Sequence, residues 1–394
     1  MPSRSFFSGG IAIALAGWVS LAAQTNPAQP TLSDLETRAR QDSNDASALY
    51  TLGLRYWDLK RLDDAEREFR QAVSVDPRYA PAYFALSFLP YDRRPKLWNE
   101  ERKGKVPPEW RPVLQQADQM RHKAFIIDPL VDFRVIGAEP PPQDMVVIPE
   151  YGDYTTFYLL WLGLGAFGAA RYQLSYSALQ HFVDRAFKDQ PQDSIPDELF
   201  FYRGMAAAHL GLWRDATSDV QVLLDRSLKR EHTDSLIQIP LNTNDYRYIL
   251  ALLKDRAGRP ADAMTLYKEA LASDLGLYMA HVRLADLFEQ YQMWNDAVTE
   301  RRRAVEANPD DESLVRDLGA TLARANQGAE AETVLHQAMD ANPRDPGAPY
   351  ALGVVEQQLN KPADARAALN RFLALAPSKD TRIADAKDRL AKLP

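Results

Sequence analysis

Residues Asp45–Tyr79, DASALYTLGLRYWDLKRLDDAEREFRQAVSVDPRY, decide the fold. They contain two short amphipathic segments and a stop. Leu49, Leu52, Leu54 and Tyr56 crowd the first segment around Gly53. On the second, Ala65, Phe69, Ala72 and Val73 recur at i, i+4, i+7 and i+8, the apolar stripe of a helix. Asp76-Pro77 ends it, because proline pushes the preceding residue out of the α region. Neither helix can bury its stripe alone, so the unit requires neighbours.

The chain supplies them. Steps of twelve, four, three and five residues lead from Gly53 to Ala65, Phe69, Ala72 and Pro77. The same steps from Gly319 reach Ala331, Leu335, Ala338 and Pro343, and from Gly353 they reach Ala365, Leu369, Phe372 and Pro377. Weaker copies start at Ala285 (Ala297, Arg301, Ala304, Pro309), Ala251 (Ala263, Tyr267, Ala270, Leu275) and Gly204 (Ala216, Val220, Leu223, Leu228). Ala251, Ala285, Gly319 and Gly353 are spaced 34 residues apart. This spacing and residue pattern resemble the tetratricopeptide repeat, a helix–turn–helix unit, over about residues 31–394. The resemblance implies an all-α, right-handed superhelical solenoid of about eight such units. Small residues recur because antiparallel helices approach closely only where side chains are small.

Composition narrows the function. The chain has 394 residues, an apolar fraction of 46%, a net charge of −7 and a pI near 5.5. That acidity argues against non-specific binding to nucleic acid or anionic membrane. With no cysteine, disulfides, thiolate metal sites and cysteine nucleophiles are excluded. Arg4, the uncharged apolar run Phe6–Leu21 and small residues at Ala22-Ala23 have the organisation of a secretory signal peptide, residues 1–23. The expectation is a periplasmic or secreted protein; an uncleaved anchor is the alternative, against which the apolar run is short of the ~20 residues of a spanning helix. No stable membrane span is expected after cleavage.

A polar linker, 24–30, leads to an amphipathic helix over Thr31–Asn44 that covers the first unit. The second unit starts in register at Tyr83, Leu86 and Ser87, breaks at Pro90, and resumes at Pro107–Ile127 with Ala117, Arg121, Ala124 and Pro129. The insertion between its halves, 88–107, carries Arg93, Arg94, Lys96, Arg102, Lys103 and Lys105 around Trp98. Interleaved Glu100 and Glu101 favour a solvated loop over a nucleic-acid contact. A second insertion, 130–153, has β-branched runs at 132–136 and 145–148, expected to be extended. Central repeats fill 154–230, an insertion with an extended crossing at Ile237–Pro240 fills 231–244, and C-terminal repeats with a capping helix at Asp380–Leu393 fill 245–394.

Gly163-x-Gly165-x-x-Gly168 matches the dinucleotide-binding pattern, with Asp184 further on. No strand is expected after the next helix, and Leu179, Val183, Ala186 and Pro191 continue the repeat, so the glycines are expected to serve close helix packing in a deeply buried helix. The histidines (His122, His181, His209, His232, His281, His336) show no paired spacing, and no G-x-S-x-G, S-x-x-K or phosphate-binding loop is present. Glu330, Glu332 and the triplet Arg301-Arg302-Arg303 are expected on solvated helix faces, and Asp310-Asp311-Glu312 at a helix start, where acids favour the dipole. No catalytic residue, metal or cofactor is assigned.

What the resemblance implies is a concave binding face lined by the first helix of each unit. The positions that would line it include Tyr50, Leu54, Trp57, Phe84, Phe201, Met205, Tyr248, Leu252, Tyr350 and Val354, with Val282 and Arg316 at equivalent places. Aromatic and apolar, such a groove suits an extended peptide or a helix. The function expected is an exported interaction scaffold or assembly factor for a protein or peptide partner, and not an enzyme or nucleic-acid binder. The alternative is an enzyme or ligand-binding protein whose site lies between the insertions and the repeats. A groove already covered by the chain's own segments is the bland reading of these aromatics.

Overall fold

The computed structural model describes residues 30–131, 152–229 and 241–394. The stretches expected to form a signal peptide (1–23), extended runs (132–136 and 145–148) and a crossing (237–240) lie outside them. The described residues form nineteen α-helices and no strand. The first, α1 (Leu32–Gln41), is capped reciprocally by Thr31 and Asp34. Eight helix pairs follow: α2 (Ala46–Asp58) with α3 (Leu62–Val75); α4 (Ala80–Arg93) with α6 (Arg111–Ile127), the short α5 (Leu97–Arg102) lying between; α7 (Gly152–Gly168) with α8 (Tyr172–Ala186); and α9 (Asp197–His209) with α10 (Trp213–Lys229). Then come α11 (Thr243–Arg256) with α12 (Pro260–Ser273), α13 (Tyr278–Gln290) with α14 (Trp294–Ala307), α15 (Glu312–Arg324) with α16 (Gly328–Ala341), and α17 (Gly347–Gln358) with α18 (Pro362–Leu375). The last helix, α19 (Ile383–Lys392), packs on α18 and shields Leu369 and Phe372.

One contact recurs within the pairs. A Cβ built on Gly53 would lie 2.5 Å from the Phe69 ring, one on Gly163 2.5 Å from Leu179, one on Gly319 2.6 Å from Leu335, and one on Gly353 2.7 Å from Leu369. Each partner stands sixteen residues after its glycine and is fully buried. This settles the glycine pattern in α7: Gly163 is a repeat glycine seated against α8, with no strand before or after it among the described residues. It also moves the register of that pair. Ser175, fully buried, takes the small position, four residues earlier than the expected Leu179. Helix α7 itself is less enclosed than expected, with Leu160, Leu162, Ala166 and Phe167 buried on one face and Trp161 and Leu164 half-buried on the other.

The turns repeat as strictly as the helices. Lys60, Ala170, Gly211, Gly258, Gln292, Asn326 and Asn360 all have positive φ, each seven residues after its pair's anchor. In every case the next residue's N–H bonds to a carbonyl five residues back, as in Arg61 to Tyr56 (2.9 Å), Arg171 to Ala166 (2.8 Å) and Lys361 to Glu356 (2.8 Å). That is the Schellman closure of a helix C-terminus, which favours glycine or asparagine.

Two expectations fail for reasons of packing. Pro90 does not break α4, which runs on to Arg93, because Leu89, Pro90 and Tyr91 are buried, Tyr91 with Leu97 and Leu114. The basic insertion is accordingly no loose loop: α5 docks through Leu97, Arg94 pairs with Glu100 at 2.8 Å, and Tyr91 donates to Glu101 at 2.7 Å. Nor is Arg301 on a solvated face. It stands sixteen residues after Ala285, where other pairs carry Phe69 or Leu335, and is 6% exposed. Its guanidinium reaches Asp286 (2.6 Å), Glu289 (2.8 Å) and the Thr321 hydroxyl (3.2 Å).

The array turns back on itself. Ser378 donates from its N–H (2.9 Å) and hydroxyl (2.5 Å) to the Asp42 carboxylate, and the Asn44 amide donates to the Leu375 carbonyl at 2.9 Å. Arg344 donates to the Ser43 carbonyl (3.1 Å) and to Asn44 Oδ1 (3.0 Å). Arg78 joins Ser313 (2.7 Å) and Asp317 from the opposite side of the sequence. Deeper inside, the Tyr248 hydroxyl donates to the Ile126 carbonyl at 2.7 Å, and Phe84, Ile126, Ile127 and Val131 share one apolar core with Tyr248, Tyr278, Val282 and Leu314. The second pair is thereby seated against the fifth, sixth and seventh.

Two outcomes test this description. Ala170→Gly should stabilise the chain by about 0.5–1 kcal/mol, since a left-handed L-residue costs about 1–2 kcal/mol and the extra unfolded-state entropy of glycine offsets part of that; a raised denaturant midpoint checks it. Because the chain has no cysteine, the double variant D42C/S378C offers a clean pair for a short bismaleimide, and an intramolecular cross-link is expected by mass spectrometry.

Candidate functional site

The closure defines where a partner has room. Of the ten groove residues expected from the sequence, Trp57, Phe84, Met205, Tyr248 and Leu252 are buried. Trp57 packs edge-on against Phe69, ring centroids 5.8 Å apart, and its indole N–H donates to Asp92. Phe84 and Tyr248 lie in the core shared by the second pair and the C-terminal pairs. Met205 and Leu252 lie in the central core. Tyr50, Leu54, Phe201, Tyr350 and Val354 are half-buried. Tyr50 lies against Phe69 (5.6 Å) and Tyr79 (5.5 Å), so Tyr50, Leu54 and Trp57 all contribute to the packing of the first unit. In the fifth and sixth pairs the concave positions are therefore covered, Tyr248 and Val282 by the second pair.

The concave positions of the last two pairs stay open. A cleft of about 680 Å³ lies between the first pair and the last two, within the usual range of ligand pockets, about 300–1,000 Å³. Arg316, Ala320, Tyr350 and Val354 line one wall, with Ala351 and Gln358. The opposite wall comes from the residues leading into α2, Asn44–Ser47, and from the end of α3, Val75, Asp76 and Tyr79. Pro377, Asp380 and Arg382 close one end. No sequence pattern joins these stretches; the seam brings them together.

The arginines of the cleft are paired before any ligand arrives. Arg316 donates to Asp317 at 3.0 Å and to both Asp345 oxygens at 3.2 Å. Asp345 also accepts from Gly347 N–H (2.8 Å), fixing the start of α17. Gly347 has to be small, because a Cβ there would stand 2.6 Å from Arg316 Cδ. Arg382 forks onto Asp380 (3.0 and 2.6 Å) and lies over the rings of Tyr350 (5.4 Å) and Phe372 (5.3 Å). The Tyr350 hydroxyl donates to Asp385 at 2.6 Å; burial and that carboxylate both push its pKa up. Asp45 caps α2 through Ser47 and Ala48, and Asp76 accepts from Arg78 N–H.

Asp317 anchors the seam. Burial acts to raise its pKa, but the guanidiniums of Arg316, Arg78 and Arg301 outweigh burial and hold it at about 2. No histidine lines this cleft; its lining combines apolar Val75, Ala320, Ala351 and Val354 with five aspartates and three arginines.

Residues 46–79 match a tetratricopeptide-repeat family model, and residues 316–380 match a second one. These two stretches are tetratricopeptide repeats, and helices packed in consecutive pairs run through the described residues between them. The two matched stretches supply the two sides of the cleft. Among solved structures, the C-terminal part of a repeat protein from Cytophaga hutchinsonii is 14% identical, with 63% of this chain and 91% of that one covered and a TM-score of 0.47. YrrB, described as a repeat protein with an unusual peptide-binding site, is 15% identical over 54% of this chain and 99% of its own, TM-score 0.39. A double mutant of MamA from RS-1 is 16% identical over 48% and 98%, TM-score 0.40. No curated protein matches in sequence. No helix among the described residues is long and apolar enough to cross a membrane.

Replacing Asp317 by Asn leaves three guanidiniums short of their counter-charge. A loss of about 2–4 kcal/mol is expected, somewhat below the ~3–5 kcal/mol scale for breaking one side of a fully buried pair, because the Asp317 side chain is 20% exposed. The native carboxyl stays ionised to about pH 2, against about 3.9 in an unfolded chain. Its contribution is thus in place above pH 4 and is lost as pH falls through about 2. Melting curves of wild type and D317N across that range should converge at the acid end.

Proposed function

We propose that this protein is an exported interaction scaffold that holds a short, extended, weakly charged segment of a partner protein in the cleft between its first and last repeats. The observation that carries this reading is the distribution of concave positions. Tyr248 and Val282 are sealed by the chain's own second pair, while Arg316, Ala320, Tyr350 and Val354 face open space. Repeat arrays of this family act through such faces, and nothing in the cleft has the geometry of acid–base or nucleophilic chemistry. A binding role without catalysis is the reading this supports.

The chemistry of the walls sets the kind of segment. Because Arg316 and Arg382 are already neutralised, an acidic ligand would have to break existing pairs and is disfavoured. Apolar side chains gain by covering Tyr350, Val354 and Ala351, at roughly 25 cal/mol per Å² of apolar surface removed from water. Export rests on the N-terminal sequence, Arg4 followed by Phe6–Leu21 and a small-residue boundary at Ala22-Ala23.

Peptide-library selection against the chain without residues 1–23 tests the cleft directly. Extended apolar peptides are expected, with affinity falling at least tenfold for Val354→Arg and unchanged for Tyr291→Ala, which sits exposed at a turn away from the cleft. Equal binding by V354R would place the partner elsewhere. For export, a C-terminally tagged chain made in a bacterial host should appear outside the cytoplasm, its intact mass short of about residues 1–23.

A further inference from the structure

Away from the cleft, α16 and α17 bring three possible ligands together. Glu332 and His336 stand one turn apart on α16, on the same helix face. Glu356 comes from α17. One carboxylate oxygen from each glutamate and a ring nitrogen of His336 all lie within 4.8 Å of one another. Glu332 is half-buried and His336 exposed, but Glu356 is 3% exposed.

Glu356 makes the cluster more than a patch of acids. Its Oε2 is fully buried and has no hydrogen-bond partner. A carboxylate oxygen in that position is costly unless something positive or a donor reaches it. The charged groups around it are Glu332, Asp364 and Lys361, and the Lys361 ammonium is committed to both oxygens of Glu332, at 2.6 and 2.8 Å. Three carboxyls thus face one cation. Burial, then Asp364 and Glu332, push the Glu356 carboxyl up to about 7.

We propose that Glu332, His336 and Glu356 form a binding site for one divalent transition-metal ion of the zinc class. Two carboxylate oxygens and one imidazole nitrogen are a borderline donor set, suited to Zn²⁺ and poorly suited to Ca²⁺ or Mg²⁺, which take oxygen ligands. Tetrahedral zinc with bonds of about 2.0–2.1 Å needs ligand atoms roughly 3.4 Å apart. Rotation of the exposed His336 and half-buried Glu332 side chains closes that gap without moving a helix. Lys361 keeps or releases Glu332 as the carboxylate turns. The fourth position faces solvent on the His336 side, leaving room for water or a partner's side chain. Bound there, the ion ties α16 to α17 where the seventh pair meets the eighth.

The test uses the full chain, stripped with a chelator and titrated with Zn²⁺ against a chromophoric competitor, with Co²⁺ as a spectroscopic probe. One equivalent of Zn²⁺ is expected, with visible Co²⁺ absorption of tetrahedral intensity. Affinity should fall at least tenfold in H336A and in E356Q and stay unchanged in H181A. His336 is exposed and E356Q keeps its shape, so both variants should retain the wild-type circular dichroism. Failure to bind an equivalent of Zn²⁺, or binding that H336A and E356Q leave intact, would overturn the site.

Discussion

Everything in this chain depends on how closely two antiparallel helices can approach. At Gly53, Gly163, Gly319 and Gly353 the first helix offers no Cβ, and a large side chain from the second fills the space. The alanines at 65, 216, 263, 297, 331 and 365, all fully buried, let the second helix lie flat in the same way. Close approach fixes the angle within each pair, and the left-handed residue seven positions on fixes the turn. Stacking of identical angles then gives the array its curve, and the curve brings the first pair to the last. The cleft results from that geometry and was not encoded as a motif.

What the sequence showed well was whatever repeats. Period, anchors, helix pairing and the capping helices at both ends are local, and each is stated several times along the chain. Departures were harder where one copy stood alone. Pro90 signals a helix end by its own chemistry, but the burial of Leu89 and Tyr91 overrides it. Arg301 is charged, and its neighbours Arg302 and Arg303 suggested a solvated face, yet its place in the repeat is an inward one. The repeat steps from Ala285 already land on Arg301, and the charge of its neighbours argued against that count. The left-handed turns were equally countable; Gly211, Gly258, Asn326 and Asn360 carry their usual residue types, while Lys60, Ala170 and Gln292 obscured the pattern.

The binding surface was legible only in part, for a different reason. Family resemblance assigns concave positions from the repeat alone, and it assigns Tyr248 and Tyr350 alike. Which of them stays open depends on contacts between segments more than a hundred residues apart, such as Tyr248 with Ile126. The aromatic character of the covered positions has a physical use of its own: large rings fill the space between two curved layers. Glu356 illustrates the same limit from the polar side. In sequence it is one more acid on a helix, and only the fold leaves its carboxylate oxygen buried beside Glu332 and His336.

The link between Asp42 and Ser378 spans 336 residues of chain through two hydrogen bonds. An open helical array is elastic, because small changes at every junction add up along its length. Fastening the ends converts that spring into a clasped bracelet. Its flexibility is concentrated at the clasp, and the width of the cleft follows how far the clasp is drawn. Under the proposed function, a partner entering between the ends would press on this clasp, and the two hydrogen bonds of Ser378 to Asp42 would be the first contacts it loads.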